Sequence, residues 1–400
     1  MPRTRLPDLV MGDLVANPPI VQGGMGVRIS RAGLASAVAN EGAIGVIAAV
    51  GLGDFEHQPS TRYATINADA LRREDFEHQP CTRYATINAD ALRRELRAAR
   101  ERTTGIIGVN IMVALTDYAS LVRAAVEEGA DIIFSGAGLP LALPELAAGA
   151  RTKLVPIVSS GRAARLIAKK WVRQRRIPDA FVIEGPRAGG HLGFTREDLD
   201  RGKAPELDAL LGEVLEVADG IARGCGRAVP VIAAGGLFDG ADIARVLSGG
   251  AGGAQLGSRF VCTDECDADL AFKMVFVNST ERDVTLIDSP VGMPGRVFRN
   301  SFIAHLEAGH KHKVVCRYRC LLTCNPKEVP YCIAEALTNA AAGRVEEGFV
   351  FCGTEGWRID RIVPVRDLMA ELVAHAEVAL GLRPARVPAC PSDEGSARGV

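Results

Sequence analysis

The sequence lacks an excess of charge of either sign and any long apolar run. Its 47 lysines and arginines almost cancel 48 aspartates and glutamates, which leaves a formal net charge of -1. A chain without a basic field does not attract a phosphate backbone, so a nucleic-acid partner is not expected. The run GAIGVIAAVGLG, from Gly42 to Gly53, is shorter than the ~20 apolar residues that span a bilayer. No membrane association is therefore predicted.

The first residues, MPRTRLPDLVMGD, contain no apolar core of signal-peptide length, so a cytoplasmic location is expected. In that compartment the ten cysteines should stay reduced, bind metal or react, because structural disulfides are rare there. The chain also has no GxGxxG motif after a strand, which argues against a dinucleotide cofactor.

Short runs rich in valine, isoleucine and alanine alternate with amphipathic segments, which is typical of parallel strands buried on both faces. Eight strand-helix alternations favour an α/β fold of the TIM (β/α)8 barrel type over an open doubly wound sheet, although periodicity alone does not show closure. Ser30 and Asp117 are predicted to cap two of the helices. The strand runs are PPIVQG, AIGVIAAV, IIGVNIMV, ADIIFSGA, KLVPIVSS, DAFVIEG, VPVIAAGG and GAQLGSRF.

A tandem repeat interrupts this alternation. Residues 54–74 recur almost unchanged as residues 75–95, and Ser60 is replaced by Cys81 in the second copy. Two copies are too few for a solenoid, so the repeat indicates a duplication in the connection after the second strand, where a longer loop costs little. Its histidines, His57 and His78, could bind a metal ion, but a polar loop insertion is the simpler interpretation.

Three regions are predicted along the chain. Residues 1–260 should form the barrel, which contains the duplicated segment 54–95. Residues 261–384 should form a cysteine-bearing C-terminal extension that completes the rim of the active site, with a helix from Val365. Residues 385–400, with the sequence RVPACPSDEGSARGV after Ala385, are expected to be a flexible tail.

Glycines end the last two predicted strands. Gly235 and Gly236 close VIAAGG just before a helix that opens near Asp239, and Gly257 and Ser258 follow the eighth strand. In a TIM barrel these loops commonly hold phosphate, and glycine lets backbone N–H groups approach an anion. Tight turns between strand and helix are the alternative explanation.

At the first strand, QGGMG again exposes backbone through Gly23, Gly24 and Met25, and Asn110 ends the third strand with an amide that can donate and accept. A phosphate site on one side of the barrel mouth and polar groups for a flat ring on the other suggest FMN. Gln255, beside the eighth-strand glycine, belongs to the same predicted cofactor site.

The stretch EGPRAGGHLG ends the sixth predicted strand and should face the same mouth. Gly189 and Gly190 would let the chain pass close to a cofactor, with Glu184 in contact with that cofactor and His191 projecting into the pocket. Histidine has a pKa near neutrality and suits proton transfer. A surface histidine in a flexible loop is the alternative.

The motifs PIVQGGMG, GVNIM, EGPRAGGHLGF, PVIAAGG, QLGSRFV and SPVGMPGR together resemble the nitronate monooxygenases, formerly 2-nitropropane dioxygenases, and the related FMN-dependent enoyl-acyl carrier protein reductases. The resemblance extends from about Pro18 to Arg296. It implies a TIM barrel with non-covalent FMN, phosphate binding at the two glycine loops, and His191 as the catalytic residue. The duplicated segment departs from the family pattern, which has one copy.

For a nitronate monooxygenase the resemblance implies a small-molecule substrate and dioxygen, with a carbonyl compound and nitrite as products. His191 would manage the proton beside the nitro group or steady the nitronate oxygens. The loop Ser289–Arg296 is a candidate lid, with Met293 as an apolar wall and Arg296 as an anion contact, or an ordinary proline-glycine turn. The alternative activity is NAD(P)H-dependent enoyl reduction at the same flavin. The resemblance is also compatible with a homodimer.

Four cysteines lie within CRYRCLLTCNPKEVPYC, at Cys316, Cys320, Cys324 and Cys332. Thiols at this spacing could bind zinc or an iron-sulfur cluster, but the pattern matches neither CxxC zinc sites nor the ferredoxin run. Reduced, packed thiols are the simpler interpretation. If a metal is bound, a flavin- or metal-binding redox sensor with little turnover becomes a third functional hypothesis.

Weaker ligand candidates lie on either side of that cluster. Cys262 and Cys266 could supply metal ligands instead, whereas His310 and His312 are expected to be solvated.

Overall fold

The computed structural model describes residues 3–53, 79–316 and 319–383, with only the backbone described for residues 79–84. The first copy of the repeat, with His57, lies outside these residues, as do His78 and the predicted tail 385–400. The strands are β1 (Leu9–Met11), β2 (Leu14–Ala16), β3 (Ile20–Gln22), β4 (Gly45–Ala48), β5 (Ile107–Met112), β6 (Ile132–Gly136), β7 (Lys153–Val158), β8 (Phe181–Glu184), β9 (Gly190–His191), β10 (Val231–Ala234), β11 (Gly253–Leu256), β12 (Val284–Asp288) and β13 (Pro294–Phe298).

Helices follow most of these strands, as the apolar periodicity predicts. They are α1 (Ala32–Asn40), α2 (Gln79–Arg102), α3 (Tyr118–Glu127), α4 (Leu143–Leu146), α5 (Gly161–Arg173), α6 (Arg196–Asp200), α7 (Leu207–Cys225), α8 (Gly240–Ser248), α9 (Ser258–Val261), α10 (Leu270–Asn278), α11 (Ser301–Glu307), α12 (Ile333–Ala341) and α13 (Val365–Ala379). Within the described residues, no helix combines the length and apolar character needed to cross a bilayer.

Eight parallel strands form a closed barrel in the order β3-β11-β10-β8-β7-β6-β5-β4. The ends of this sheet meet because the Gln22 N–H donates to the Ile44 carbonyl at 3.0 Å and the Ile44 N–H donates to the Ile20 carbonyl at 3.0 Å. Each of the predicted strand runs contributes one barrel strand. The TIM-barrel prediction is confirmed, and the open-sheet alternative is wrong.

The barrel interior and the helix layer form separate apolar clusters, because side chains alternate along each strand. Val46, Phe134 and Val182 belong to the interior cluster, which also includes Leu9 from the β1–β2 hairpin. A Cβ on Gly253, at the start of β11, would lie 3.0 Å from Leu9 Cδ2. The hairpin therefore closes the amino-terminal end of the barrel and leaves the carboxyl-terminal end open.

The second copy of the repeat lies in the predicted connection between the second and third barrel strands, but it builds part of helix α2 and not a loop. Asn88 of this copy is buried, its Oδ1 accepts from the Gly53 N–H at 3.2 Å and its Nδ2 donates to Asp117 at 2.8 Å. Asp117 stands at the N-cap position of α3 without a capping hydrogen bond from its side chain. The second copy is thus tied to the barrel by a buried amide, and its Glu95 also accepts from the Ala32 N–H at 2.9 Å.

The prediction that Ser30 caps α1 is wrong. The helix begins at Ala32 with Arg31 at the N-cap position, whereas the buried Ser30 hydroxyl accepts from the Met25 N–H at 3.0 Å and from Gln22 Nε2 at 2.9 Å. The Ser30 hydroxyl therefore bonds to Gln22 and Met25 and not to an N–H group of the first turn of α1. Asp239, by contrast, caps α8 as the sequence indicates.

The segment after Phe260 has two structural parts. Its last helix, α13, packs against α8 in the outer helix layer, where a Cβ on Gly240 would lie only 2.3 Å from the Ala376 nitrogen. The preceding part pairs β12 and β13 with β9 in a three-stranded antiparallel sheet that contributes to the open end of the barrel.

Candidate active site

A cavity of about 290 Å³ occupies the carboxyl-terminal end of the barrel, where TIM-barrel enzymes place their active sites. Every glycine, amide and acidic residue assigned to the cofactor site from the sequence lines this cavity, together with His191. These residues are Gly23, Gly24, Met25, Asn110, Glu184, Gly190, Gly235, Gly236, Gln255, Gly257 and Ser258.

The loop after β10 begins with two glycines, and no other residue type fits at these positions. Its backbone is therefore not covered by side chains. Gly235 and Gly236 have φ values of +94° and +76°, which disfavour any residue with a Cβ. A Cβ on Gly235 would also lie 2.9 Å from the Gly185 carbonyl oxygen. Asp239 then accepts from two N–H groups and starts α8. The geometry leaves bare amides beside a helix N-terminus, which suits a phosphate.

The loop after β11 lies beside it, because β10 and β11 are paired. Gly257 ends this strand, and the Ser258 hydroxyl accepts from the Gly353 N–H at 3.0 Å. The C-terminal segment therefore packs directly onto the second glycine loop.

The chain leaving β3 lies beside the loop after β11, not across the mouth from it as predicted, and it passes tightly against Asn110. A Cβ on Gly24 would lie 2.4 Å from Asn110 Cβ, and the Gly23 N–H donates to the Leu256 carbonyl at 2.8 Å. This close approach holds the QGGMG backbone at the cavity wall beside a polar amide, as predicted.

His191 is positioned by strand pairing and by one hydroxyl. Strand β9 pairs with β13, so that His191 lies opposite Gly295. Its Nε2 shares a hydrogen bond of 2.8 Å with Ser289 Oγ, and its ring meets Phe351 edge-on at 5.0 Å between centroids. Burial lowers the pKa of His191 to about 4, so the imidazole is neutral at neutral pH. No local pattern in the sequence marks Ser289 for this role.

A second titratable group of the barrel mouth is Glu184, at the end of β8. Burial raises the pKa of its carboxyl to about 7. The two groups are therefore shifted in opposite directions by the same low-dielectric surroundings.

The segment Ser289–Arg296 is the turn and second strand of the β12–β13 hairpin, and the structure does not bring Met293 or Arg296 to the cavity wall. Arg296 is buried and donates to the Ala188 carbonyl, whereas Met293 packs against the apolar core. Val291 lines the cavity in their place.

The segment 351–355, which no motif marks within the predicted C-terminal extension, also contributes to the cavity wall. Phe351, Cys352, Gly353 and Glu355 all line the cavity, and Glu355 forms an ion pair with Arg187. The glycines of CGTEG were the available signal, but nothing local places residues after 350 near the loops that follow the sixth and eighth barrel strands.

The four cysteines do not form a metal site. Among the described residues, no group of three or more His, Cys, Asp or Glu side chains is placed to hold a metal ion. Cys320 lines the cavity and Cys316 is exposed, while burial and the neighbouring thiol of Cys332 raise the pKa of Cys320 to about 12. Cys320 is thus a protonated, packed thiol.

This cysteine segment is fastened to the barrel rim. Leu321 pairs with Leu115 in an antiparallel bridge, and the Thr116 N–H donates to the Cys320 carbonyl at 3.1 Å. It therefore covers one side of the cavity.

The weaker metal-ligand candidates make other contacts or face solvent. Cys262 and Cys266 are buried, and their thiols donate to the carbonyls of Lys273 and Ile29. His310 is exposed as expected, but His312 is half-buried and stacks on Phe302 with 4.0 Å between ring centroids.

Known proteins are similar to this chain in sequence and in fold. The sequence is 29% identical over 299 residues to a Mycobacterium tuberculosis (3aS,4S,5R,7aS)-5-hydroxy-7a-methyl-1-oxo-octahydro-1H-indene-4-carboxyl-CoA dehydrogenase, which covers 73% of this chain and 66% of that protein. It is 31% identical over 195 residues to a nitronate monooxygenase of Paraburkholderia phytofirmans, which covers 48% of each chain. The chain thus spans about half to two thirds of the length of these relatives.

A solved nitroalkane oxidase from Streptomyces ansochromogenes has the same fold, with a TM-score of 0.66, 23% identity, and coverage of 91% of this chain and 97% of that one. The sequence pattern of the nitronate monooxygenase family matches residues 9–375, which include the whole barrel and the segment that completes its rim. The chain therefore belongs to the nitronate monooxygenase family.

Proposed function

We propose that this oxidoreductase uses FMN to oxidise alkyl nitronates with dioxygen, yielding a carbonyl compound and nitrite. The observation that carries the proposal is the placement of neutral His191 in one cavity with two glycine loops whose backbone is bare. Family membership supports a flavin-dependent oxidoreductase in general.

The residues present fit FMN. A Cβ on Gly235 would collide with backbone, so the loop can only be glycine, and this leaves N–H groups open to a phosphate at one end of the cavity. Gly24, Met25 and Asn110 would contact the ring system, with Glu184 and Gln255 beneath it. When bound, FMN would supply the electron transfer between substrate and dioxygen.

His191 acts through the nitrogen that Ser289 does not engage. No other hydrogen bond within the described chain reaches this imidazole, so Nδ1 is available to the substrate. In one tautomer Nδ1 accepts the proton from the nitro-bearing carbon of a parent nitroalkane, which leaves the nitronate, and in the other it donates to a nitronate oxygen. A neutral ring permits both roles.

Apolar side chains form the remaining wall and would receive the alkyl part of the substrate. Val27, Ile29, Phe272, Ile333 and Leu337 line this side of the cavity. Their burial by an alkyl group contributes about 25 cal/mol per Å² of apolar surface removed from water.

A second candidate is redox chemistry on an acyl thioester, which includes NAD(P)H-dependent enoyl reduction. One observation favours it: among the described residues that line the cavity there is no lysine or arginine to attract an anionic nitronate. The similarity to a carboxyl-CoA dehydrogenase points the same way. A thioester is uncharged at its reacting carbons and needs no cation there.

Anaerobic mixing separates these activities. FMN-loaded protein should lose its visible flavin absorbance on addition of propyl-2-nitronate and keep it with NADH. Bleaching by NADH followed by recovery with an enoyl thioester, or bleaching by a hydroxyacyl thioester, would reverse the assignment. A His191→Ala variant should keep bound FMN and lose at least about 100-fold in the rate of bleaching. Bound flavin without bleaching by any of these compounds would favour a redox sensor.

A further inference from the structure

Glu184 points toward the axis of the barrel at the floor of the cavity. Side chains alternate along a strand, and Val182 belongs to the cluster inside the barrel while Phe181 and Ile183 pack outward against helices. Glu184 therefore faces inward, one layer above Val182, and it lines the cavity. Its carboxyl meets whatever occupies the barrel mouth.

Two uncharged amides share this floor. Val109 and Ile111 pack outward, so Asn110 between them faces the axis, and Ala254 packs outward, so Gln255 faces the axis. Amide groups donate and accept without changing charge. Within this polar layer, only Glu184 can exchange a proton.

Nothing in the described part of the protein compensates a charge on Glu184. No hydrogen bond or ion pair from another described side chain or backbone group reaches its carboxyl. An unpaired carboxylate in a low-dielectric site is costly, and burial raises the pKa of Glu184 to about 7. With the pKa of His191 near 4, Glu184 is the residue of the two that changes protonation near neutral pH.

We propose that Glu184 is the proton-exchanging residue of this cavity and that FMN binding fixes it as the neutral acid, which donates a hydrogen bond to a floor-facing acceptor atom of the ligand. The inference rests on the flavin site proposed above. The Glu184 carboxylate then takes up a proton from solvent each time the ligand binds.

Two effects of the bound ligand act in the same direction. Filling the cavity removes the water that solvates a carboxylate. The phosphate would lie at Gly235, which follows Ala234, and Ala234 is the partner of Glu184 in the strand register. A phosphate dianion close to Glu184 disfavours a second negative charge.

Calorimetric titration of FMN into the apoprotein tests this between pH 7 and 9, where the FMN phosphate is already a dianion because its second pKa is about 6. Titrations in buffers of different ionisation enthalpy count the protons exchanged. For the wild type we expect uptake approaching one proton per FMN at pH 8. The Kd should rise with pH by up to about tenfold per unit.

Two variants assign the proton. Glu184→Gln keeps a hydrogen-bond donor but cannot ionise, so its Kd should be flat over this range, without uptake, and lower than that of the wild type at pH 9. Glu355→Gln is the matched control, because Glu355 lines the same cavity but has Arg187 as an ion-pair partner. It should keep the wild-type pH dependence. Uptake that persists in Glu184→Gln, or a wild-type Kd that is flat and proton-neutral, overturns the inference.

Failure of the flavin proposal gives a different result. Absence of FMN binding at every pH overturns the proposed function, and an infrared titration of the apoprotein, measured as wild type minus Glu184→Gln, then decides the state of Glu184. The acid band should disappear with a midpoint near pH 7. A midpoint at the ordinary glutamate value of about 4.3 overturns the assignment of Glu184 as the exchanging group.

Discussion

Substituting Ser289 by alanine isolates the orientation of His191 from the binding of flavin. The Ser289 hydroxyl shares a hydrogen bond of 2.8 Å with His191 Nε2 and accepts from the Val291 N–H at 3.2 Å. Ser289 is buried and lies outside both glycine loops. Its removal should therefore change catalysis and leave the cofactor site intact.

The magnitude follows from the strength of one neutral hydrogen bond. Such a bond contributes about 0.5–1.5 kcal/mol, which corresponds to a loss of roughly 2- to 12-fold in kcat/KM if the bond is needed in the transition state. We expect this decrease in nitronate-dependent oxygen uptake, with the Kd for FMN unchanged. Ser289→Thr retains a hydroxyl and should recover part of the activity.

Thr323→Val is the matched control for the turn itself. Thr323 Oγ1 donates to the Val291 carbonyl at 3.2 Å and does not bond to His191. This variant loses a hydroxyl that bonds to the same turn from the neighbouring cysteine segment, so its kcat/KM should stay within about twofold of the wild type. Equal losses in the Ser289 and Thr323 variants would refute the reasoning, because the effect would then arise from the turn and not from His191.

Three further predictions address the glycine loop, the pH dependence and the docking of α13. Gly235→Ala forces a Cβ into a positive-φ position at a strain of about 1–2 kcal/mol and should weaken FMN binding at least about tenfold in a fluorescence titration; an unchanged Kd would place the phosphate elsewhere. Because burial holds the pKa of His191 near 4, kcat/KM should lose the neutral base only below about pH 4, and an acid limb near pH 6.5 would contradict the buried site. Gly240→Ala should destabilise the protein by about 2–4 kcal/mol in urea unfolding, because the added Cβ collides with α13. Gly212 lies on the exposed face of α7 with open space around it, so Gly212→Ala should stabilise the protein by up to about 1 kcal/mol. Similar free energies of unfolding for the two variants would argue against close packing of α8 on α13.

The barrel could be predicted from the sequence because its signals are local. Each buried parallel strand is a short apolar run, and each glycine loop follows its strand directly, so strand order alone brings Gly23, Asn110 and Gly235 to one end of the barrel. The same logic placed His191 at the cavity, since it follows the sixth barrel strand closely.

The remaining features depend on contacts between distant parts of the chain. Phe351 and Gly353 reach the cavity through packing against β13 and the loop after β11, which no periodicity reveals. The sequence suggests that Arg296 binds an anion, but its guanidinium is buried and donates a hydrogen bond to the Ala188 carbonyl. Ser30 is a residue type that often caps helices, but its hydroxyl accepts a buried hydrogen bond from Gln22 instead.

The comparison of FMN with riboflavin tests the central claim most directly, because the two ligands differ only in the phosphate that the glycine loops should hold. Two charge-assisted hydrogen bonds at about 1.5–3 kcal/mol each predict that FMN binds at least about 100-fold more tightly than riboflavin in equilibrium titrations of the wild-type apoprotein. Equal affinities for the two ligands would contradict phosphate binding at Gly235, Gly236, Gly257 and Ser258.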